Sequence, residues 1–215
     1  MTSVTLRHNR VDLALHELRA ADGPNLLLLH GLGEQSPASV PAWAASWPGA
    51  VWALDFTGHG ASTIPNGGGY TAEVLMGDAD AALEHLGPST VLGRGLGGYV
   101  ALLIAGARAD AVRGAIIADG PGLFGGPSGP TSPALVSVPP GASGPPDPFV
   151  LLELARDVRP PDYAATFARA AAEHSDLEEP IAVAAIGRPP WLDAVVDALL
   201  LEPTSVEDAL AGYSR

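Results

Sequence analysis

Short apolar runs alternate with helix-period segments along most of this chain. Val11, Leu13 and Leu15 alternate with Asp12, Ala14 and His16, and together with Val4 to Leu6 across His8-Asn9-Arg10 they predict an opening β-hairpin. After a turn at Asp22-Gly23-Pro24, Asn25 to His30 (N-L-L-L-L-H) is continuously apolar, the pattern of a strand covered on both faces. Gly31-Leu32-Gly33 ends it, Val40 to Trp47 predicts a short helix, and Ala50 to Asp55 the next strand. From Thr71 to Leu86, Val74, Leu75, Ala79, Ala82, Leu83 and Leu86 fall at helical spacing, with the acids expected on the opposite side, until Gly87-Pro88. Thr90 to Leu92 then predicts a strand, the cluster Gly93, Gly95, Gly97 and Gly98 a sharp turn, and Tyr99 to Ala105 a helix of small apolar residues. Val112 to Ala118 is another buried-strand pattern, ending at Asp119. This alternation predicts an α/β fold with a mostly parallel central sheet flanked by helices.

Gly120 to Pro148 is rich in Gly, Pro and Ser, without periodicity, and longer than the ~12–15 residues usual for a structureless connection. It reads equally as a functional lid or as a disordered or merely tolerated insertion. Phe149 to Arg156 and Pro161 to His174 predict helices, Ile181 to Ile186 a strand, Pro190 to Val196 a helix, Ala198 to Leu201 a short strand, and Ser205 to Ala211 a last helix. With 215 residues, 47% of them hydrophobic, the chain suits one domain over 1–215, with residues 120–180 as a reduced cap or lid inserted in it.

Composition narrows the chemistry. Eleven basic against 24 acidic residues give a net charge of −13, so nucleic acid and anionic membranes are not expected partners. All the basic residues besides histidine are arginine, which rules out Schiff-base chemistry on a lysine. The absence of cysteine removes thiolate nucleophiles, disulfides and cysteine zinc sites. No stretch approaches the ~18 apolar residues of a membrane span and the amino terminus lacks a signal-peptide core, so a cytoplasmic protein is expected.

The glycine turn fits two templates. Gly93, Gly95 and Gly98 read as G-x-G-x-x-G, a dinucleotide fingerprint, with Asp119 at the distance of a ribose-binding acid. Gly93, Gly95 and Gly97 read instead as a G-x-S-x-G nucleophile elbow with glycine in place of serine. Two earlier motifs, His30-Gly31-Leu32-Gly33 and Asp55-Phe56-Thr57-Gly58-His59-Gly60 followed by Ser62, stand after the two preceding strands. This ordered set resembles the α/β-hydrolase superfamily, whose members commonly carry H-G-x-G, D-x-x-G-x-G-x-S and G-x-S-x-G-G there.

The resemblance implies a site residue by residue. The backbone N–H groups of Leu32, beside Gly31, and of Leu96 would form the oxyanion hole, Gly95 is the vacant nucleophile position, and Asp119 takes the acid position. No histidine follows the last strand, where the base should stand, so two of three triad members are missing. His30 and His59 occupy places where histidine is usually structural, and Arg94 either reaches an anionic ligand or pairs with a local carboxylate. The expected function is a hydrolase-like protein without Ser-His-Asp chemistry, a pseudoenzyme binding a small carbonyl or carboxylate ligand through Gly31, Leu32, Leu96, His30 and Arg94, or a protein partner. The alternatives are an active hydrolase or lyase using Asp119, Arg94 and His30, and a dinucleotide-binding protein. No metal and no cofactor is expected, since Asp55, His30 and His59 lack paired ligand spacing.

Overall fold

In the computed structural model, which describes residues 2–126 and 141–214, the Asn25–His30 run lies at the centre of a seven-stranded sheet. The strands are β1 (Thr2–His8), β2 (Val11–Arg19), β3 (Asn25–Leu29), β4 (Val51–Leu54), β5 (Ser89–Arg94), β6 (Val112–Ala118) and β7 (Ile181–Val183), in the order β1-β2-β4-β3-β5-β6-β7. The β1/β2 and β2/β4 pairs are antiparallel, and all others are parallel. Helices α1 (Ala72–Leu86), α2 (Leu96–Ala107), α3 (Pro148–Leu154), α4 (Pro161–His174), α5 (Pro190–Leu199) and α6 (Val206–Tyr213) complete the fold. Part of the Gly120–Pro148 stretch, residues 127–140, lies outside the described residues.

Both faces of the sheet are covered, which is why its central strands are apolar without alternation. Leu27, Leu29, Val91 and Ile117 point into a core shared with α1, α2, α4 and α5. Leu26, Leu28, Leu92 and Ile116 point into a second, smaller core with Trp47 and with Ala209 and Leu210 of α6. Helix α2 is buried from Leu96 to Ala105, as its apolar residues on all sides require. Local chemistry sets the helix starts: Thr71 and Ser205 accept hydrogen bonds from the amides of Val74 and Asp208, and Asp147 caps α3 just before Pro148.

Three expectations differ from the structure. Val40 to Trp47 holds only a short 3-10 turn at Ala42–Ala44, and β7 stops at Val183. Ala198 to Leu201 is not a strand, because α5 continues to Leu199 and Leu200 turns into the left-handed region at φ 54°. Within the 120–180 stretch, α4 packs against α2 and α5 on the flank of the sheet, and the residues that reach the elbow are 120–122. Among the described residues, no helix is long and apolar enough to cross a membrane.

The acids of α1 do not all face outward. Asp78 is fully buried and accepts from the Thr57 amide at 2.8 Å, the Thr57 hydroxyl at 2.9 Å and His8 Nδ1 at 2.7 Å. It ties β1, α1 and the turn after β4 together. The hydrogen bond to Asp78 raises the His8 pKa, against an opposing effect of burial. A raised folded-state value means that the protonated ring stabilises the fold fully below the ordinary imidazole value of about 6.5, and that this contribution disappears as pH rises through the folded-state value. Thermal unfolding of the parent and of His8→Gln therefore diverges most near pH 5.5 and converges toward about pH 9. An equal gap at both ends contradicts this assignment.

Candidate active site

At the end of β5 the chain reverses through Gly95, at φ 56° and ψ −117°, directly into α2. The Gly95 amide donates to the Ala118 carbonyl at 2.9 Å, and the Gly95 carbonyl accepts from the Gly98 amide at 3.0 Å. Strand and helix lie so close that a Cβ built on Gly93 would stand 2.0 Å from the Gly97 carbonyl oxygen. This is the strand–turn–helix geometry in which a side chain at position 95 would be presented at the carboxyl edge of the sheet.

That position is covered. The carbonyl oxygen of Pro121 accepts from the amide of Leu32 at 2.9 Å and from the amide of Leu96 at 3.0 Å. Both groups expected to be open donors are thus bonded to the same backbone oxygen of the chain itself. A Cβ built on Gly95 would lie 2.1 Å from that oxygen and 2.5 Å from the Gly120 carbonyl carbon, and one built on Gly31 would lie 2.8 Å from the Pro121 ring. The expected unpaired donors for a carbonyl or carboxylate at Leu32 and Leu96 are therefore corrected: an internal carbonyl fills the place.

The segment from Asp119 to Gly126 is fastened along its length. Asp119, exposed at the end of β6, accepts from the amides of Ile186 at 2.7 Å and Gly187 at 2.9 Å. Arg159, only 2% exposed, donates through Nη1 to the carbonyls of Gly122 at 2.6 Å and Leu123 at 2.9 Å, and its guanidinium lies 4.7 Å from the Tyr99 ring centre. Burial lowers the Arg159 pKa to about 10. Trp191 Nε1 also donates to Leu123, at 2.9 Å, and the Gly126 amide donates to Asp157. Because this strap lies over the start of α2, the dinucleotide expectation for Gly93, Gly95 and Gly98 meets an occupied helix terminus, and Asp119 is bound to a neighbouring loop.

The two motif histidines brace loops. Each ring carries its proton on Nδ1: His30 donates to the Gly31 carbonyl at 2.8 Å and accepts at Nε2 from the Phe56 amide at 3.1 Å, while His59 donates to Thr57 and accepts from the Gly33 amide at 3.2 Å. Burial lowers both pKa values, that of His59 to about 4. With both nitrogens held by backbone, the His30 ring has no lone pair for a ligand or for a reacting group at position 95. Its expected ligand-binding role is left to the ring's surface, since His30 also lines the cavity beside Arg94. Asp55 spends its oxygens elsewhere, accepting from His16 and from the amides of Ser36 and Ala61. Among the described residues no group of three or more acidic and histidine side chains is arranged to hold a metal ion.

Arg94 pairs with a carboxylate. Its Nη1 donates to Glu34 Oε1 and Oε2 at 3.0 and 2.9 Å, and Glu34 Oε2 also accepts from the Gly31 amide at 2.9 Å. Beside this pair a cavity of about 380 Å³ opens over Leu28 and Leu92, walled by Pro37, Pro41 and Trp43. A shallower recess of about 210 Å³ shares Trp43, Leu92 and Arg94 with it and reaches Asp119. Sequence reasoning found Arg94 and Asp119, the start of the strap, but missed Glu34, Pro121 and Arg159. Glu34, three residues after Gly31, was open to detection as a loop-capping acid. Nothing in the sequence marks Pro121 as the residue whose carbonyl fills the donors.

A model of the alpha/beta hydrolase family matches residues 26–214. Among curated proteins nothing matches. A thioesterase domain from the curacin biosynthetic pathway is similar over 100% of this chain and 97% of its own, at 16% identity and a TM-score of 0.63, a likeness of fold. A hydrolase from Pseudomonas aeruginosa PA01 aligns over 54% of this chain and 45% of its own at 27% identity and a TM-score of 0.47. An epoxide hydrolase of Vigna radiata aligns over 54% of this chain and 37% of its own at 22% identity and a TM-score of 0.44. The chain thus spans less than half the length of these last two.

Proposed function

The chain belongs to the alpha/beta hydrolase family, and from that premise we propose that it is a non-catalytic member whose elbow site is closed by its own main chain. The observation that carries this reading is the Pro121 carbonyl, which takes up the hydrogen bonds of Leu32 and Leu96 beside a position that has no side chain. An acyl-transfer site needs a nucleophile, a base and free donors at the place where the oxyanion forms. Here Gly95 offers no nucleophile, no histidine follows His174, and the donors are engaged. The non-triad groups are likewise committed to separate partners: Asp119 to Ile186 and Gly187, Arg94 to Glu34, His30 to Gly31 and Phe56.

A binding role moves accordingly to the cavity beside Arg94. Its floor at Leu28 and Leu92 and its wall at Pro37, Pro41 and Trp43 are apolar, while His30, Glu34, Gln35, Ser36 and Arg94 supply polar edges, and among the described residues Nε and Nη2 of Arg94 have no hydrogen-bond partner. That combination favours a small, largely apolar molecule carrying one carbonyl acceptor. A free carboxylate is less suited, because Glu34 already offsets the guanidinium.

The test is twofold. Steady-state hydrolysis of p-nitrophenyl esters stays at the protein-independent background, and the amide hydrogens of Leu32 and Leu96 exchange slowly because they are bonded to Pro121. Steady-state turnover above that background, or fast exchange at both amides, overturns the reading.

A further inference from the structure

Away from the elbow, three side chains from three strands or their ends form a hydrogen-bonded row. Ser3 on β1 and His16 on β2 are direct cross-strand partners, so their side chains share one face of the hairpin. Ser3 Oγ lies 3.1 Å from His16 Nδ1, and His16 Nε2 lies 2.9 Å from Asp55 Oδ2, just past the end of β4. Ser3 is exposed, whereas the His16 and Asp55 side chains are 9% and 4% exposed.

We propose that Ser3 is an activated nucleophile, a covalent modification site for electrophilic acyl or phosphonyl donors, with His16 as its base and Asp55 as the group that positions His16. The order of contacts fixes the tautomer. Asp55 can only accept, so the His16 proton sits on Nε2, which leaves the Nδ1 lone pair facing the Ser3 hydroxyl. Asp55 is itself held ionised: burial acts to raise its pKa, but the amides of Ala61 and Ser36 and the His16 ring outweigh that and keep it below the usual carboxylate range. A hydroxyl bonded to a base that a buried carboxylate orients is the arrangement that makes serine reactive.

The chemistry is one displacement. With an activated aryl ester, Ser3 Oγ attacks the carbonyl carbon while its proton passes to His16 Nδ1. The carbonyl carbon–aryloxide bond then breaks, and the phenol leaves with that proton, giving an ester on Ser3 and neutral His16; with a fluorophosphonate the attack is at phosphorus, the phosphorus–fluorine bond breaks, and hydrogen fluoride carries off the proton. An exposed strand residue lacks the enclosing walls that strengthen transition-state interactions, so stoichiometric modification is expected and not the turnover of ordinary esters. This site is independent of the closed elbow, and peptide mapping separates the two.

Two measurements test it. A fluorophosphonate probe with peptide mapping is expected to label Ser3, with loss of the label in Ser3→Ala and at least about tenfold slower labelling in a folded His16→Gln. Since the chain contains no cysteine, Ser3→Cys introduces a single thiol, and its alkylation by iodoacetamide can be compared with that of Thr5→Cys two residues along the same strand face. The thiol at position 3 should react at least about tenfold faster near neutral pH, because His16 stabilises the thiolate. Absence of label on Ser3, or equal alkylation at the two positions, overturns the proposal even if His16→Gln fails to fold.

Discussion

Gly95→Ser gives a protein less stable than the parent by about 2–5 kcal/mol and no more active on esters. Two causes add. The backbone at φ 56° is one that side chains rarely adopt, and the new Cβ would stand 2.1 Å from the Pro121 oxygen and 2.5 Å from the Gly120 carbonyl carbon, both main-chain atoms that cannot rotate away. Because the conflict begins at Cβ, Gly95→Ala should lose nearly as much as Gly95→Ser. Thermal unfolding of the two variants checks this, with midpoints expected to fall by about 4–20 °C for a chain of this size. Ester hydrolysis gains nothing, since a restored hydroxyl would find no histidine base after the last strand and no free donor at Leu32 or Leu96. A stable Gly95→Ser with hydrolysis a thousandfold or so above the parent would contradict the closed-site reading.

Asp78→Ala costs about 3–5 kcal/mol. The carboxylate has no exposed surface and receives three hydrogen bonds, from both polar groups of Thr57 and from His8. Removing it leaves the buried Thr57 amide without an acceptor and a void under α1, and releases β1 from the helix it leans on. Asp78→Asn keeps one acceptor for the Thr57 amide and should lose clearly less. The unfolding midpoint of the alanine variant should fall by about 6–20 °C, and a shift under about 2 °C would show that the junction carries little of the stability.

Much of the architecture was legible because burial on both faces writes itself as uninterrupted apolar runs such as Leu26 to Leu29 and Ala115 to Ala118. The glycine cluster at 93–98 announced the tight strand-to-helix turn for a steric reason: no side chain fits between Gly93 and Gly97. Periodicity failed where one residue departs from its neighbours. Asp78 stands at i+3 from Leu75 on the buried face of α1, and a pattern that assigns acids to solvent places it outside. At the site the motifs located the Leu32 and Leu96 amides but not their partner, because a backbone carbonyl belongs to every residue and leaves no mark in a sequence. His16 is similar: it reads as one polar position in an alternating strand, and only the pairing of β1, β2 and β4 brings it between Ser3 and Asp55.

The Pro121 contact also bears on how reversible the closure is. Since the blocking atom is a main-chain oxygen, no exchange of side chain at position 121 deletes it, and the segment is tied down on both sides, by Asp119 to the 186–187 amides and by Arg159 to the 122–123 carbonyls. Point substitution at the elbow therefore meets a steric penalty before any chemistry can be selected, while the segment that imposes the penalty can be withdrawn only by changing its path or its length. Under the proposed non-catalytic reading the closure acts as a ratchet: with the strap seated, a gain of hydrolase activity through single substitutions at position 95 runs uphill, and the more accessible route begins with a deletion or insertion between Asp119 and Gly126.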